Sequence, residues 1–583
     1  MKRTFYLPLS LLLVAGHFTF LMLYFQPAIS TPDAQSYFVQ AKQLALTAKT
    51  YVALESVLQY VGPHWCETRP GRFYCTHPPG LPAILALFYR LFGPYAALWV
   101  NPLLSSLTLL GLFLLARLWI SEGWALLAAG LMAVNPVTNE HALFGFSHAA
   151  VAFFLVWGLF FLARGLKTHS TWWALIAGFC FGLLPAIRYA ESVYLLAAGV
   201  FLVISVLKQH ASWRTLAAFA LGAALPLGAL LIRNQAAYGV FWKTGYALTQ
   251  EQSAFGLGYF LQNSPTYLRM MLGDGGAITF GLGVMGLAFL CAYPKERSKG
   301  LLLTILIVPI TVLYMSWYWT PDLQSMRFLL PTFYLYTIAA VWLLAFLIHN
   351  RPKRSAWACA LTLLLLTLWW GLPQSHQRLI SLKTRNRALA NATGIIERHV
   401  EKGSLIIAPE GLCQHLDFLG SWRLVSLPAL RPQPFHEQAP SADSSAPRGP
   451  QRDAALQRRF GRLSGEDFFA AVTDEVWTWA GTKRKVYLVA NEDQIAGFKT
   501  NLPLTDTLVT VERIELTAGE TQSARMSGGF GPPGEAEGEF QGPPGPMGSP
   551  PDQFQGRPGP NQIFDLVLNG EPLWLVQWRR GTL

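Results

Sequence analysis

Along the first 372 positions, long apolar runs alternate with short polar connections: 5–25, 95–118, 124–137, 146–164, 172–187, 190–207, 213–232, 276–293, 300–318, 327–349 and 356–372. As helices, runs of this kind cross a hydrocarbon layer of roughly 30 Å. The pattern predicts a polytopic α-helical membrane protein of about eleven spans. The first run follows Met1-Lys2-Arg3 and exceeds the about 7 to 15 apolar residues of a signal-peptide core, so it reads as a retained span. One apolar stretch is left out of the set. "GLPAILALFYRLFG", Gly80 to Gly93, follows Pro78-Pro79 and carries Arg90, which suits an interfacial or re-entrant helix.

Charge orients this arrangement. With the N-terminus in the cytoplasm, Arg117, Arg164 with Lys167, Lys208 with Arg214, Lys295 with Arg297 and Lys299, and Arg351 with Lys353 and Arg354 all fall inside, as the positive-inside bias requires. The short outer connections carry only Arg188 and Arg327, and the tail after Leu372 falls outside.

That tail changes character. "SLIIAPEG" with "LCQHLDFLG", and "KVYLVANEDQIAGF", read as strand-to-helix units, "DTLVTVERIEL" as a strand, and "DLVLNGEPLWLVQW" as a hairpin around Asn569-Gly570. The expected division is a membrane domain over 1–373, whose first outer loop spans 26–92 and carries juxtamembrane helices, and a small mixed α/β extracytoplasmic domain over 374–583. Within the latter, residues 518–562 are rich in Gly and Pro and poor in core-forming residues, which predicts a disordered insertion. Gly542, Gly545 and Gly548 keep a three-residue period that fails on both sides, so no collagen helix is expected.

Composition agrees with the membrane reading. The 583 residues are 52% hydrophobic and 13% charged, which excludes an ordinary soluble globular class. Much of the net charge of +12 sits in the short loops, where it marks topology rather than a nucleic-acid partner. Cys180, Cys291 and Cys359 lie in apolar runs and read as small buried hydrophobes. Cys66 and Cys75 flank "ETRPGRFY" in the first outer loop, where an oxidising compartment would allow a bridge.

The candidate chemistry gathers on the outer side. In "ISTPDAQSYF", Thr31 can cap a helix, Pro32 can start it, and Asp33 sits in its first turn. Ala34, Tyr37, Phe38, Ala41, Leu44, Ala45 and Ala48 then recur at helical spacing, which predicts an amphipathic helix along the membrane surface. Asp33 either complements the helix dipole or serves as general base toward an acceptor hydroxyl. The loop closes with "CETRPGRFYCTHPPG", bringing Glu67, Arg69, Arg72 and His77; cations at that depth suit a lipid phosphate or ordinary headgroup contact. Further outer connections carry Glu140, His141 and His148, then Arg188 and Glu191, then Asp322 and Arg327. Ionisable residues at span ends are functional candidates, although a lone Arg there commonly snorkels.

With these residues in view, the chain resembles the GT-C superfamily of membrane glycosyltransferases, specifically glycosyltransferase family 39, which holds protein O-mannosyltransferases and lipid A aminoarabinose transferases. Four stretches carry the likeness in order: "TPDAQSYF"; "THPPGLPAILALFYRLFG"; "RNQAAYGVFWKTGYALTQEQSAFGLGYF", whose Thr-Gly-Tyr contains Tyr246; and "MRFLLPTFYLYTIAA". The resemblance implies inverting sugar transfer from a polyprenyl-phosphate donor, undecaprenyl phosphate in a bacterial cytoplasmic membrane, to a lipid, glycan or protein acceptor on the outer face. It casts Asp33 as the base and His77 as a donor-phosphate contact, with Arg327 another and Arg69, Arg72 and Arg188 as further cations for the phosphate. Glu140, His148 and Tyr246 would be accessory. Two departures weigh against a metal held by paired carboxylates: Asp33-Ala34 stands where the family commonly has Asp-Glu, and Ser147-His148 stands where many relatives carry Asp. A divalent cation is left open. The competing readings are a lipid or sugar flippase, which would need internal repeats or broken helices, and a membrane anchor displaying its outer domain.

Overall fold

The computed structural model describes residues 5–248, 255–319, 321–430, 465–500, 506–514 and 572–580, with single positions at 456, 459–461, 463 and 502. The Gly/Pro-rich stretch 518–562 and the Asn569-Gly570 turn lie outside the described residues. The chain forms two compact units. The first comprises Met1–Phe25, Gln40–Tyr51 and Tyr74–Ile380; the second comprises Gln26–Val39, Val52–Phe73 and Ser381–Leu583.

The first unit is helical. Among the described residues, eight helices are long and apolar enough to cross a membrane, or nine if the bent pair Leu257–Gly273 and Ile278–Ala292 is one span. This is a multi-pass membrane protein. Each of the eleven apolar runs contains a helix, but three fall short of a span by themselves: Glu122–Ala133 has 12 residues, Thr171–Ile187 has 17, and Ile278–Ala292, half of the bent pair, has 15. The first is cut by Asn135-Pro136, where the Asn135 side chain accepts from Thr138 N and caps a new short helix, Pro136–Leu143. Gly80–Phe92 is a 13-residue apolar helix, as its length suggested. The bent pair turns by 111° at Asp274-Gly275-Gly276, where Ala277 holds a positive φ of 47° and the Gly275 carbonyl accepts from Asn135 Nδ2 at 2.9 Å. Two glycines permit the sharp turn.

Helices Thr171–Ile187 and Trp213–Tyr238 pack backbone to backbone. A Cβ on Gly178 would fall on the Phe219 carbonyl, and one on Gly222 on the Leu175 carbonyl. Small residues are what allow such approach between apolar helices. Gly178→Val is therefore expected to lower the thermal midpoint in detergent by forcing the pair apart, at a cost of about 1–3 kcal/mol. Gly199→Val, at a position with open space around it, serves as the control and should leave the midpoint in place.

The first loop forms the short strands β1 (Tyr51–Ala53), β2 (Trp65–Arg69) and β3 (Arg72–Cys75), in the order β1-β3-β2. Pro70-Gly71 joins the last two, with Gly71 at φ +68° and its N–H donated to Glu67 Oε1 at 2.8 Å.

The second unit is built on a five-stranded mixed sheet. β4 (Leu405–Ala408) lies parallel to β5 (Arg423–Ser426) and to β6 (Val486–Ala490), while β8 (Leu573–Arg579) runs antiparallel to β6 and to β7 (Thr507–Ile514), giving the order β5-β4-β6-β8-β7. β4 and β6 are buried throughout, as central strands covered on both faces must be. Helices Glu410–Leu419 and Glu492–Thr500 follow β4 and β6, matching the two strand-to-helix units expected. Leu58, from the first loop, lies in the same core as Leu405, Ile407, Val425, Val472, Val486 and Trp578. Tyr60 N donates to Leu424 O at 2.6 Å.

Candidate functional site

Asp33 enters the second unit at the head of helix Pro32–Thr47. Thr31 Oγ1 accepts from Ala34 N at 3.3 Å, so the expected cap is present, and Pro32 supplies a first helical residue with no N–H to satisfy. The Asp33 carboxylate lies 2.9 Å from His64 Nε2, the two side chains being 32% and 26% exposed. That is enough for a solute to reach them. His64, in "HWCETR", is not among the residues expected from sequence, since nothing local ties it to a position 31 residues earlier. A carboxylate oxygen and an imidazole nitrogen are both ligand types for divalent ions.

The Asp33 helix differs from expectation in its surroundings. Residues 34–42 are all buried, including Gln35, Ser36, Gln40 and Lys42. It is a helix covered on every side over this stretch, not an amphipathic one lying with a polar face in water. The polar side chains are accommodated by partners remote in sequence: Gln35 Nε2 donates to Asp417 Oδ2 at 2.9 Å, and Gln40 Nε2 to His77 O at 3.4 Å. Arg69 and Arg72 flank Pro70-Gly71 at the exposed tip of the hairpin.

In the first unit, the segment Cys75-Thr76-His77 is clamped. Arg233, buried near the end of helix Trp213–Tyr238, donates from Nη2 to Cys75 O at 2.7 Å and from Nη1 to Tyr238 OH at 2.5 Å. Tyr238 OH donates to the same carbonyl at 3.0 Å, and Tyr189 OH to Asn234 Oδ1 at 3.1 Å. A Cβ on Gly245 would land on Thr76 backbone. Tyr246 presents its ring edge-on to His77, centroids 6.1 Å apart, and to Tyr189 at 5.3 Å. The motif "RNQAAYGVFWKTGYA" thus acts as a clamp, in which Arg233, Asn234, Tyr238, Gly245 and Tyr246 fix the strand end that carries His77. Gly245→Ala is expected to displace that segment, and labelling of the buried Cys75 by a maleimide, read by mass spectrometry, should accelerate several-fold for an overpacking cost of about 1–3 kcal/mol. Cys66 and Cys75 are both buried and present as thiols; Cys75 Sγ lies 3.9 Å from His77 Nδ1, and their bridge stays a proposal.

A second cluster in this unit centres on Phe328. The Arg188 guanidinium lies 5.5 Å and that of Arg327 4.7 Å from its ring centre, and the His148 ring is at 5.7 Å. Arg188 Nε is 3.4 Å from Glu191 Oε1, and Glu191 is fully buried. Tyr314 OH donates to Glu191 at 3.0 Å, Arg188 Nη2 donates to Tyr314 OH at 3.3 Å, and Arg188 Nη1 donates to Ser147 Oγ at 3.4 Å. The Arg188 charge therefore already has a counter-ion inside the protein. Arg327 also stacks over Phe146 at 5.1 Å and donates from Nη1 to Gln324 O at 3.2 Å. His141 and His148 are buried with rings 6.3 Å apart. Burial, with Arg327 and Arg378 adding to it, holds the His141 imidazole well below its usual range and hence neutral.

Glu140 stands apart from that group. Arg378 donates to Glu140 Oε2 and to Asp274 Oδ1, each at 2.9 Å, so one guanidinium joins helix Pro136–Leu143, the bend at Asp274 and the last long helix, Lys353–His399. The structure thus brings together Arg188, Arg327 and His148, and separately His77 with Tyr246, and it gives Asp33 a histidine partner. Phe328 and Arg378 carry no chemical signal of their own in the sequence, and Arg233 stands there only as the first residue of a motif.

Residues 76–231 match the family model described as dolichyl-phosphate-mannose-protein mannosyltransferase. The chain also shares the fold of the Archaeoglobus fulgidus oligosaccharyltransferase in its apo form, with a TM-score of 0.50 at 12% identity over 84% of this chain and 70% of that one. Also similar are the same organism's oligosaccharyltransferase AglB in complex with an inhibitory peptide and a dolichol-phosphate (TM-score 0.46, 11% identity, 83% and 69% covered) and the form in complex with Zn and sulfate (TM-score 0.49, 13% identity, 83% and 68% covered). No curated protein matches the chain. With its helical membrane unit and this shared fold, the chain is similar to the family matched over residues 76–231, a match that begins at the segment carrying His77.

Proposed function

We propose that the chain is an inverting glycosyltransferase that moves a sugar from a polyprenyl-phosphate donor, undecaprenyl phosphate in a bacterial cytoplasmic membrane, to an acceptor hydroxyl of a lipid, glycan or protein on the outer face. The observation that carries this reading is Asp33: a partly exposed carboxylate at a capped helix start, held 2.9 Å from His64, in a chain matching a family named for a dolichyl-phosphate-linked sugar. The orientation follows the charge bias of the short loops, with the 374–583 domain outside.

In the proposed step, Asp33 takes the acceptor proton as the acceptor oxygen attacks the anomeric carbon. The bond from that carbon to the phosphate oxygen breaks on the opposite face, and polyprenyl phosphate leaves with the electron pair. A phosphate is already a competent leaving group, so the protein has to position the acceptor, accept one proton and stabilise charge on the phosphate. His77, Arg69, Arg72, Arg188 and Arg327 are the proposed donor-phosphate contacts. Arg188, offset by Glu191, would contribute chiefly as a hydrogen-bond donor. His148 and Tyr246 are proposed as supports around them, and Glu140, held by Arg378, as an accessory residue apart from them.

Membranes containing the wild-type chain, supplied with a panel of labelled undecaprenyl-phosphate sugars, are expected to pass label from at least one donor into an acceptor fraction. Absence of transfer from every donor contradicts the proposal.

A further inference from the structure

We propose that the C-terminal domain belongs to the catalytic apparatus, its helix Glu410–Leu419 holding the Asp33 helix in place, with His415 and Asp417 as positioning residues for Asp33. This rests on the assignment of Asp33 as the base.

The contacts bracket the carboxylate. Four residues before Asp33, the Ile29 N–H is donated to His415 Nδ1 at 3.2 Å. Two residues after it, Gln35 donates to Asp417 at 2.9 Å. Five residues after it, Phe38 meets Phe418 edge to face, centroids 5.3 Å apart. All of these residues lie in the same compact unit. Ile29, Gln35, Phe38, His415 and Phe418 are at most 2% exposed, while Asp417 is only partly buried, so it is the Ile29–His415 bond that lies out of reach of water.

The His415 bond is informative about the ring. A backbone N–H can only donate, so Nδ1 accepts and the imidazole is neutral with its proton on Nε2. Burial lowers the ring to about 4, which keeps the acceptor nitrogen available through neutral pH. The gripping helix is itself anchored: it follows β4 directly, and Cys413 Sγ lies 3.4 Å from Ala408 O and 3.6 Å from Val425 O. A carboxylate in the first turn of a helix takes its direction from the axis of that helix. Fixing the segment before the helix start and its first turns fixes where the base points, and displacement of a catalytic group by about 1 Å can cost on the order of 100-fold.

The test uses the full chain in nanodiscs. His415→Phe keeps a ring but removes the acceptor; His415→Asn offers an oxygen near the place of Nδ1; Asp417→Ala removes the second contact from the other side. Two readouts are taken: amide hydrogen exchange over residues 29–36, and the kcat and KM for sugar transfer. The expected result is faster exchange and a kcat lowered by about 10- to 100-fold in His415→Phe and Asp417→Ala, at unchanged donor KM, with His415→Asn restoring most of both. Unchanged exchange in both loss variants, or faster exchange with wild-type kcat, overturns the proposal. If the wild type transfers no sugar, the reading of Asp33 as a base fails, while the exchange contrast still decides whether this helix is the grip.

Discussion

Asp33→Asn is expected to abolish sugar transfer while leaving donor binding and expression intact. The substitution keeps the size of the side chain and its place in the first helical turn, and it retains an oxygen that can accept from His64. It removes the group proposed to accept a proton from the acceptor hydroxyl, an effect of about 100- to 10,000-fold for general base catalysis. Asp33→Glu should recover little, because the added methylene moves the carboxylate off a helix whose neighbours at positions 34–42 are buried. His64→Ala is the informative companion: with the base retained and its 2.9 Å partner removed, the loss should be smaller than for Asp33→Asn. Initial rates at saturating donor, measured in the same membranes, check all three. Transfer at the wild-type rate in Asp33→Asn would remove this residue from the mechanism.

The largest expected effect on stability is at Arg188. Its partner Glu191 is fully buried, with the guanidinium at 3.4 Å and Tyr314 donating to the carboxylate. Replacing Arg188 by Met leaves the fully buried Glu191 carboxyl without its partner, and breaking a buried pair from one side costs about 3–5 kcal/mol. The double variant Arg188→Met with Glu191→Met should recover most of that loss, since removing both charges from a buried site is often close to neutral. Thermal unfolding in detergent for the two single variants and the double variant measures the coupling directly. The cycle also separates two roles: if the double variant is stable but transfers poorly, Arg188 contributes to donor handling beyond its structural pairing.

The membrane part is legible because each span is written locally, as an unbroken apolar run of sufficient length. Where helices and runs part company, the cause is local too: Asn135-Pro136 starts a new helix inside the 124–137 run, and Thr171–Ile187 stops one residue before Arg188. The strand-to-helix units of the C-terminal domain are legible from short apolar runs flanked by turn residues. The Asp33 helix is legible as a helix, with its cap at Thr31, but not in its surroundings. Its polar positions suggest an exposed face, whereas Gln35 is buried against Asp417, 382 residues further along the chain. Nothing in the segment itself could announce that partner.

The site divides in the same way. Asp33, His77, Arg188 and Arg327 stand out as ionisable residues beside apolar runs, and that is a property of sequence. Which of them carry an internal counter-ion is a property of the fold. Arg188 reads in sequence as a cation at a span end, three residues from Glu191, and the fold makes the two a buried pair. The stretch from Arg233 to Tyr246 is recognisable as a motif without a reason; its reason is the backbone of Cys75 and Thr76, more than 150 residues earlier.

The broken pair among the described residues, Leu257–Gly273 with Ile278–Ala292, is the feature a flippase would also use, so the decisive experiment has to distinguish movement of the donor from its cleavage. Purified protein in sealed liposomes, given one labelled undecaprenyl-phosphate sugar and an acceptor, allows both to be followed. The expected result is one polyprenyl phosphate released for each sugar joined to the acceptor, lost together in Asp33→Asn. Donor that changes leaflet while its sugar remains attached to the lipid would contradict the account.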